Sequence, residues 1–154
     1  YKRQMIYGAT LTDRNKVGPS TIKESIKSIK KGKILGIFPE GGITSTKLTR
    51  ATPGAIFLAS KANTNILPVS ISGGDNAWED LLHGIRSRIT VNIGKPFGPF
   101  DIKGSKEEKI SKLEDYSREL MCRIAALLPD DRHGEYSNDK RITKYRNENK
   151  LDLF

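Results

Sequence analysis

The stretch "ILGIFPEGGIT", residues 34–44, joins a short apolar run to a glycine-rich loop through a proline and a glutamate. A short apolar run that opens onto such a loop is typical of a buried strand in an α/β protein, and ligands bind near the carboxyl ends of these strands. Glu40 is therefore either a functional carboxylate at a sheet edge or a solvated residue in a tight turn, and spacing alone slightly favours the turn. The loop is not a phosphate-binding P-loop, because no Gly-Lys-Ser/Thr follows.

Three further apolar runs predict strands on either side of this stretch, at residues 5–12, 66–72 and 88–94. Pro68 lies inside the second run and cannot donate to a ladder, so we expect it at a strand end or an irregularity. Short strands that are apolar on both faces are typical of a parallel sheet covered by helices.

Helical signals lie between these runs. The Thr21–Glu24 pair predicts a capping box at the start of a helix that Gly32 ends. Thr52 followed by proline predicts a second helix, through Ala62. A short helix is expected around Trp78, and a capping box at residues 105–108 predicts the longest helix, ended by a proline at position 129.

The alternation of strands and helices predicts an α/β fold with a central, largely parallel sheet flanked by helices. We assign residues 1–129 to this domain. Residues 130–154 are charged and lack periodicity, which predicts a loosely packed tail.

The chain has 154 residues and a net charge of +9. Basic and acidic residues balance in residues 130–154, so the excess lies in the predicted domain. A basic domain favours nucleic acid, phosphorylated substrates or an anionic membrane surface, although a solvated lysine-rich face would have the same charge. No aromatic–basic platform or helix-turn-helix pattern supports nucleic acid. The single cysteine, Cys122, favours a reducing, cytosol-facing compartment, and no Cys/His spacing indicates a metal site.

The order of three motifs narrows the function. An Asp-Arg pair follows the first predicted strand in "GATLTDRN", "FPEGG" comes next, and "ILPVSIS" follows further along. With "TPGAIFLA" and "ITVNIGKPF", this order resembles the 1-acyl-glycerol-3-phosphate acyltransferase (glycerophospholipid acyltransferase) family over about residues 8–129. The resemblance implies transfer of an acyl group from coenzyme A or acyl carrier protein to the free hydroxyl of a lysophosphatidate-like acceptor, without a further cofactor.

The resemblance also implies roles for individual residues. Arg14 would bind the phosphate of the acceptor, and an arginine can do so through two parallel hydrogen bonds. The acceptor site would be shaped by Phe38, Pro39, Glu40 and Gly41. Acyl-donor binding, or the core beneath the site, would involve Pro68, Val69 and Ile71.

The family's catalytic block, a histidine followed five positions later by an aspartate, is absent from this sequence. His83 is followed at that spacing by Arg88, and His133 by Asn138. Because the chain begins with Tyr1 just before the second block, we expect the base and its aspartate upstream of it, in a part that is missing here. The chain alone would then be inactive. The alternative is a degenerate relative, a non-catalytic lipid-binding domain of the same fold at a membrane surface.

Two departures from the family concern the acceptor. Gly42, Ile43 and Thr44 stand where the family often continues "FPEG" with Thr-Arg-Ser, so an arginine is missing and the candidate replacements are Lys47 and Arg50. Thr52 also stands where a lysine is common.

The resemblance and the charge together predict the cytoplasmic face of a membrane, with peripheral attachment or an anchor in a missing N-terminal segment. Lysines near an anionic surface gain about 1 kcal/mol each. The residues expected to face lipid head groups, unless they only form a solvated face, are Lys23, Lys27, Lys30, Lys31 and Lys33.

Overall fold

The computed structural model of the chain describes residues 18–42 and 45–149. The predicted strand at residues 5–12 and Arg14 lie outside these ranges. The described elements, in chain order, are helix α1 (Pro19–Lys30), helix α2 (Gly54–Ala62), strand β1 (Val69–Ser72), helix α3 (Ala77–Leu82), strand β2 (Thr90–Ile93), helix α4 (Lys106–Ala125), single-turn 3-10 helices at Asp130–Arg132 and Gly134–Tyr136, and helix α5 (Arg141–Asn149).

The architecture is mixed α/β, and the sheet found in the described ranges is small. Strands β1 and β2 pair antiparallel, with Val69 opposite Ile93 and Ile71 opposite Val91. A bridge between Ile66 and Phe97 extends this pairing beyond the strands. A largely parallel central sheet, as predicted, is not seen among residues 18–42 and 45–149, because the predicted strand at residues 34–38 has no strand partner there.

Helix α4 is the centre of the core. Its inner face buries Leu120, Met121 and Ala125 almost completely. Leu120 packs with α2 and with the aromatic residues that follow β2. Met121 and Ala125 belong to a second cluster, formed with residues of the C-terminal region.

Residues 130–149 pack firmly against α4, so the prediction of a loose tail is wrong for this part of the chain. Tyr136, Ile142 and Tyr145 are each at most 6% exposed. These large side chains are too few to produce a periodic pattern, yet each buries considerable apolar area. The carboxylate of Asp139 adds a polar contact by accepting a hydrogen bond from Nε of Arg118 at 2.8 Å.

The helix ends show which capping predictions were correct. The capping box of α4 is confirmed: Ser105 Oγ accepts from the Glu108 amide at 3.2 Å, and the Glu108 carboxylate accepts from the Ser105 amide at 2.7 Å. The box predicted at Thr21 is wrong, because α1 begins at Pro19 with Gly18 as its N-cap. Proline at the first helical position has its φ already set for the helix, which explains the earlier start.

Candidate functional site

A groove of about 790 Å³ brings together two of the predicted motifs. Its lining includes residues of "FPEGG" and of "ILPVSIS", together with residues of α2 and α4. The predicted site residues among the lining are Phe38, Pro39, Glu40, Pro68, Val69 and Ile71. Gly41 follows Glu40 in the chain but is not among the lining residues, and Arg14 lies outside the described residues.

The sheet turns its apolar face toward this groove. Val69 and Ile71 line the groove and are 41% and 63% exposed, respectively. The polar side chains of the strands point the other way, since Ser70 Oγ and Asn92 Nδ2 both donate to the carbonyl of Leu127 at 2.9 Å. These two hydrogen bonds hold the sheet to the segment that follows α4, and the apolar face of the sheet stays accessible in the groove.

Pro68 lines the groove immediately before β1. It is buried, and its carbonyl accepts a hydrogen bond from the amide of Gly94 at 2.9 Å. Its position immediately before β1 confirms the expectation that it would lie at a strand end. Pro68 thereby fixes the start of the strand that carries Val69 and Ile71.

Glu40 does not project freely into solvent. Its Oε2 accepts two hydrogen bonds from Thr49, one from the backbone amide at 2.7 Å and one from the hydroxyl at 2.8 Å. The carboxylate therefore spans the glycine-rich loop and ties its start to its end. Bonds to a charged acceptor are stronger than those between neutral groups, so this contact rigidifies the loop.

Thr52 also joins the two ends of this loop, through hydrogen bonds to Pro39. Its amide and its hydroxyl both donate to the carbonyl of Pro39, at 2.8 and 3.1 Å. The sequence predicted Thr52 as a helix cap, and this was wrong, since α2 begins at Gly54 with Pro53 as its N-cap. The hydroxyl instead forms one of four hydrogen bonds that join the two ends of the loop, two from Thr49 to Glu40 and two from Thr52 to Pro39.

Sequence reasoning missed Thr49 altogether. It is nine residues from Glu40, and no local periodicity or turn signal links the two positions. The available signal was chemical: a partly buried carboxylate needs donors, and a threonine near the far end of the loop supplies two.

The cations proposed to replace the family's arginine lie at the loop's rim. Lys47 is exposed, and its amide donates to Ser45 Oγ at 3.0 Å. Arg50 is exposed as well and pairs with Glu114 at 3.4 Å. Gly41 has φ +77°, a conformation that favours glycine, and its amide closes the turn by donating to the carbonyl of Phe38. A change at Gly41 would therefore strain the turn.

Neither histidine lines the groove. His83 is exposed at the end of α3, with its ring Nδ1 2.8 Å from the carbonyl oxygen of Glu79. His133 is buried, and its Nε2 lies 3.2 Å from the carbonyl oxygen of Leu128. Both positions agree with structural roles.

The described ranges contain neither a metal-binding cluster nor a helix able to span a membrane. Residues 18–42 and 45–149 contain no group of three or more acidic, histidine or cysteine side chains that could hold a metal ion. Across those same residues, every helix is too short or too polar to cross a membrane.

Comparisons with known proteins bear on the same region. Residues 4–72 match the family model described as "Acyltransferase", a range that contains Arg14 and the groove-lining residues of "FPEGG" and "ILPVSIS". The 1-acyl-sn-glycerol-3-phosphate acyltransferase of Bacillus subtilis (strain 168) is 34% identical over 89 residues, which make up 58% of this chain and 43% of that relative. The aligned part thus spans less than half of the curated relative's length. No solved structure matches the chain.

Proposed function

We propose, on the premise that this chain belongs to the acyltransferase family, that it forms part of an enzyme that acylates lysophosphatidate. In this reaction the acceptor's hydroxyl oxygen attacks the carbonyl carbon of an acyl thioester. The carbon–sulfur bond breaks, and the thiol of coenzyme A or acyl carrier protein leaves with the hydroxyl proton. The product is phosphatidate, and no further cofactor takes part.

One observation carries the proposal: two motifs that are distant in sequence line one groove. Phe38, Pro39 and Glu40 line the same groove as Val69 and Ile71, so a single ligand could contact both sets. The apolar lining suits an acyl chain, whereas the glycine-rich loop has the polar backbone groups that suit a phosphorylated head group.

Glu40 acts in this proposal by positioning the loop. Both of its bonds go to Thr49, so the carboxylate ties the start of the loop, next to Gly41, to Thr49. Fixed donors contribute more to binding than mobile ones, because their ordering cost is met during folding. Arg14 would supply the charge that binds the phosphate.

The general base is not assigned to any described residue of this chain. His83 and His133 lie off the groove, and neither is followed by an aspartate at the family's spacing. We therefore propose that the base comes from a preceding segment and that residues 1–154 alone do not catalyse transfer. A positioned base of this kind typically contributes about 10²–10⁴-fold in rate.

The proposal extends to the surroundings of the enzyme. The five lysines in and just after α1 are all exposed, which supports contact with the head groups of an anionic membrane on its cytoplasmic face. We also propose that residues 34–38 belong to a central, largely parallel sheet in the whole protein.

The test is thiol release by the protein as its native gene encodes it, with acyl-CoA or acyl carrier protein and lysophosphatidate supplied together. We expect release that depends on the acceptor and falls when Gly41 is replaced by valine. Exposed Thr46, replaced by serine, serves as the control. Binding to anionic vesicles without turnover would instead identify a non-catalytic lipid-binding domain and overturn the enzymatic proposal.

A further inference from the structure

Residues 130–136, "DDRHGEY", run alongside the glycine-rich loop and bond to the backbone of its second half. The amide of Leu48 donates to the carbonyl of Arg132 at 3.0 Å, and the carbonyl of Leu48 accepts from the amide of Glu135 at 3.2 Å. We call residues 130–136 the strap. Leu48 lines the groove, so the strap holds a residue of the candidate site by both of its backbone polar groups.

The strap is fixed to the core and needs a glycine to reach the loop. Tyr136 is 6% exposed and packs with residues of α4, and its phenol oxygen accepts a hydrogen bond from the amide of Ala51 at 3.3 Å. Gly134 has φ +54°, and a β-carbon there would overlap the carbonyl oxygen of Leu48. The close approach of strap and loop therefore depends on a residue without a side chain.

The side chain of Arg132 connects the glycine-rich loop to a second loop. Its Nη1 donates to the carbonyl of Thr46 at 3.1 Å. Its Nη2 donates to the carboxylate of Asp75, in the loop between β1 and α3. A guanidinium holds its donors in a rigid, planar fork, so this one side chain sets the spacing between the two loops. These loops follow "FPEGG" and "ILPVSIS", the two motifs whose residues line the groove.

The strap supplies a restraint that the loop's own hydrogen bonds do not supply. The bonds from Thr49 to Glu40 and from Thr52 to Pro39 join one part of the loop to another part. The bonds to the strap and to Arg132 join residues 46–51 to the core and to the end of β1 instead. They therefore determine where the second half of the loop lies relative to the groove.

We propose that Arg132 is a positioning residue of the candidate site, which holds residues 46–51 in place beside the groove. The inference rests on the proposed function, in which the glycine-rich loop meets the phosphorylated head group of the acceptor. Lys47 and Arg50 are exposed on this segment, whereas Leu48 between them is buried. Fixing the backbone of Leu48 thus keeps both cationic side chains at the surface, and a segment that is already ordered binds an anion at a lower entropic cost.

Amide exchange tests the positioning without any activity measurement, so a failure here is distinguishable from a failure of the proposed function. In the protein as its native gene encodes it, Arg132→Met removes every donor of the side chain but keeps most of its length. We expect the amides of residues 48–51 to exchange about tenfold faster, while the amides of α4 keep their protection. Asp75→Asn weakens the other end of the contact, so it should produce a smaller increase at the same amides.

The matched control is Arg86→Met, which removes the same charge from an exposed position between α3 and β2 and should change neither set of amides. Unchanged exchange at residues 48–51 in Arg132→Met overturns the proposal. If α4 also loses protection, Arg132→Met has destabilised the whole fold, and Asp75→Asn decides instead. Unchanged exchange in Asp75→Asn would then overturn the proposal.

Kinetics tests the consequence for the site. We expect Arg132→Met to raise KM for lysophosphatidate about tenfold, with kcat and the KM of the acyl donor changed less than about twofold. Arg132→Lys keeps one charged donor and should restore part of the lost affinity. A merely structural role would lower the fraction of active enzyme, and therefore kcat at an unchanged KM.

That second pattern, or equal KM values in Arg132→Met and Arg86→Met, overturns the proposal. An unchanged protein that transfers no acyl group counts against the proposed function, and the exchange result then decides the role of Arg132 by itself.

Discussion

Thr49→Val is the most direct test of how the glycine-rich loop is held. The substitution keeps the side chain's shape but removes the hydroxyl that donates to Glu40 Oε2 at 2.8 Å. The backbone bond from residue 49 to the same oxygen, at 2.7 Å, remains available. A hydrogen bond to a charged acceptor contributes about 1.5–3 kcal/mol, and partial exposure places this one near the lower value.

A loss of about 1.4 kcal/mol raises the population of the opened loop about tenfold. We therefore expect the amide of residue 49 to exchange about tenfold faster in Thr49→Val, measured by hydrogen–deuterium exchange at constant pH. Glu40→Ala removes both bonds, and a loss of about 3 kcal/mol corresponds to an increase of about a hundredfold. Thr49→Ser keeps the hydroxyl and is the matched control.

Two results would refute this reasoning. Equal exchange in Thr49→Val and Thr49→Ser would show that the hydroxyl does not hold the loop. If the native gene product transfers acyl groups, both Thr49→Val and Glu40→Ala should reduce the rate, the second more strongly. Full activity in Thr49→Val beside none in Glu40→Ala would mean that Glu40 contacts the substrate, and not that it positions the loop.

Three other predictions concern the packing around α4. Burial and a hydrogen bond with Asp139 raise the pKa of the Cys122 thiol to about 12, so a disulfide reagent at pH 8 should label it only after unfolding; labelling in the native state contradicts this. Although burial opposes it, hydrogen bonding to arginines holds the pKa of Asp139 well below its unfolded value of about 3.9. The contribution of Asp139 to folding stability is therefore complete above the unfolded pKa and is lost as pH falls through the lower folded pKa. In urea unfolding, Asp139→Asn should be less stable at pH 7 and lose less stability toward pH 2, whereas the exposed control Asp131→Asn should not differ in this way. Parallel stability–pH curves for Asp139→Asn and the unchanged chain would contradict the prediction. The Arg123 guanidinium lies 4.1 Å from the Tyr145 ring centroid, and Arg123→Lys should cost about 1 kcal/mol in thermal unfolding, with an unchanged midpoint as the opposing result.

Local chemistry made several features predictable from the sequence. The Ser105–Glu108 box was readable because both partners of each hydrogen bond lie within one turn. The start of β1 after Pro68 was readable because proline cannot donate to a ladder. The order of the motifs was likewise enough to indicate a resemblance to acyltransferases, and residues 4–72 match the family model described as "Acyltransferase".

Features that depend on contacts between distant residues were not predictable in this way. Thr52 has the local signature of a cap, but a carbonyl thirteen residues away competes for its hydroxyl and wins. Residues 130–149 lack periodicity, and only the surface of α4 shows where Tyr136 and Ile142 are buried.

"FPEGG" shows the same division within one motif. The sequence determined that an apolar run would end in a turn with a carboxylate, because proline, glutamate and glycine have fixed conformational and chemical properties. It left open whether Glu40 was functional or merely solvated. The tertiary structure shows that the carboxylate is not merely solvated, because folding brings the amide and the hydroxyl of Thr49 to it. A carboxylate's role is set by the donors around it, and those donors come from parts of the chain that only folding brings near.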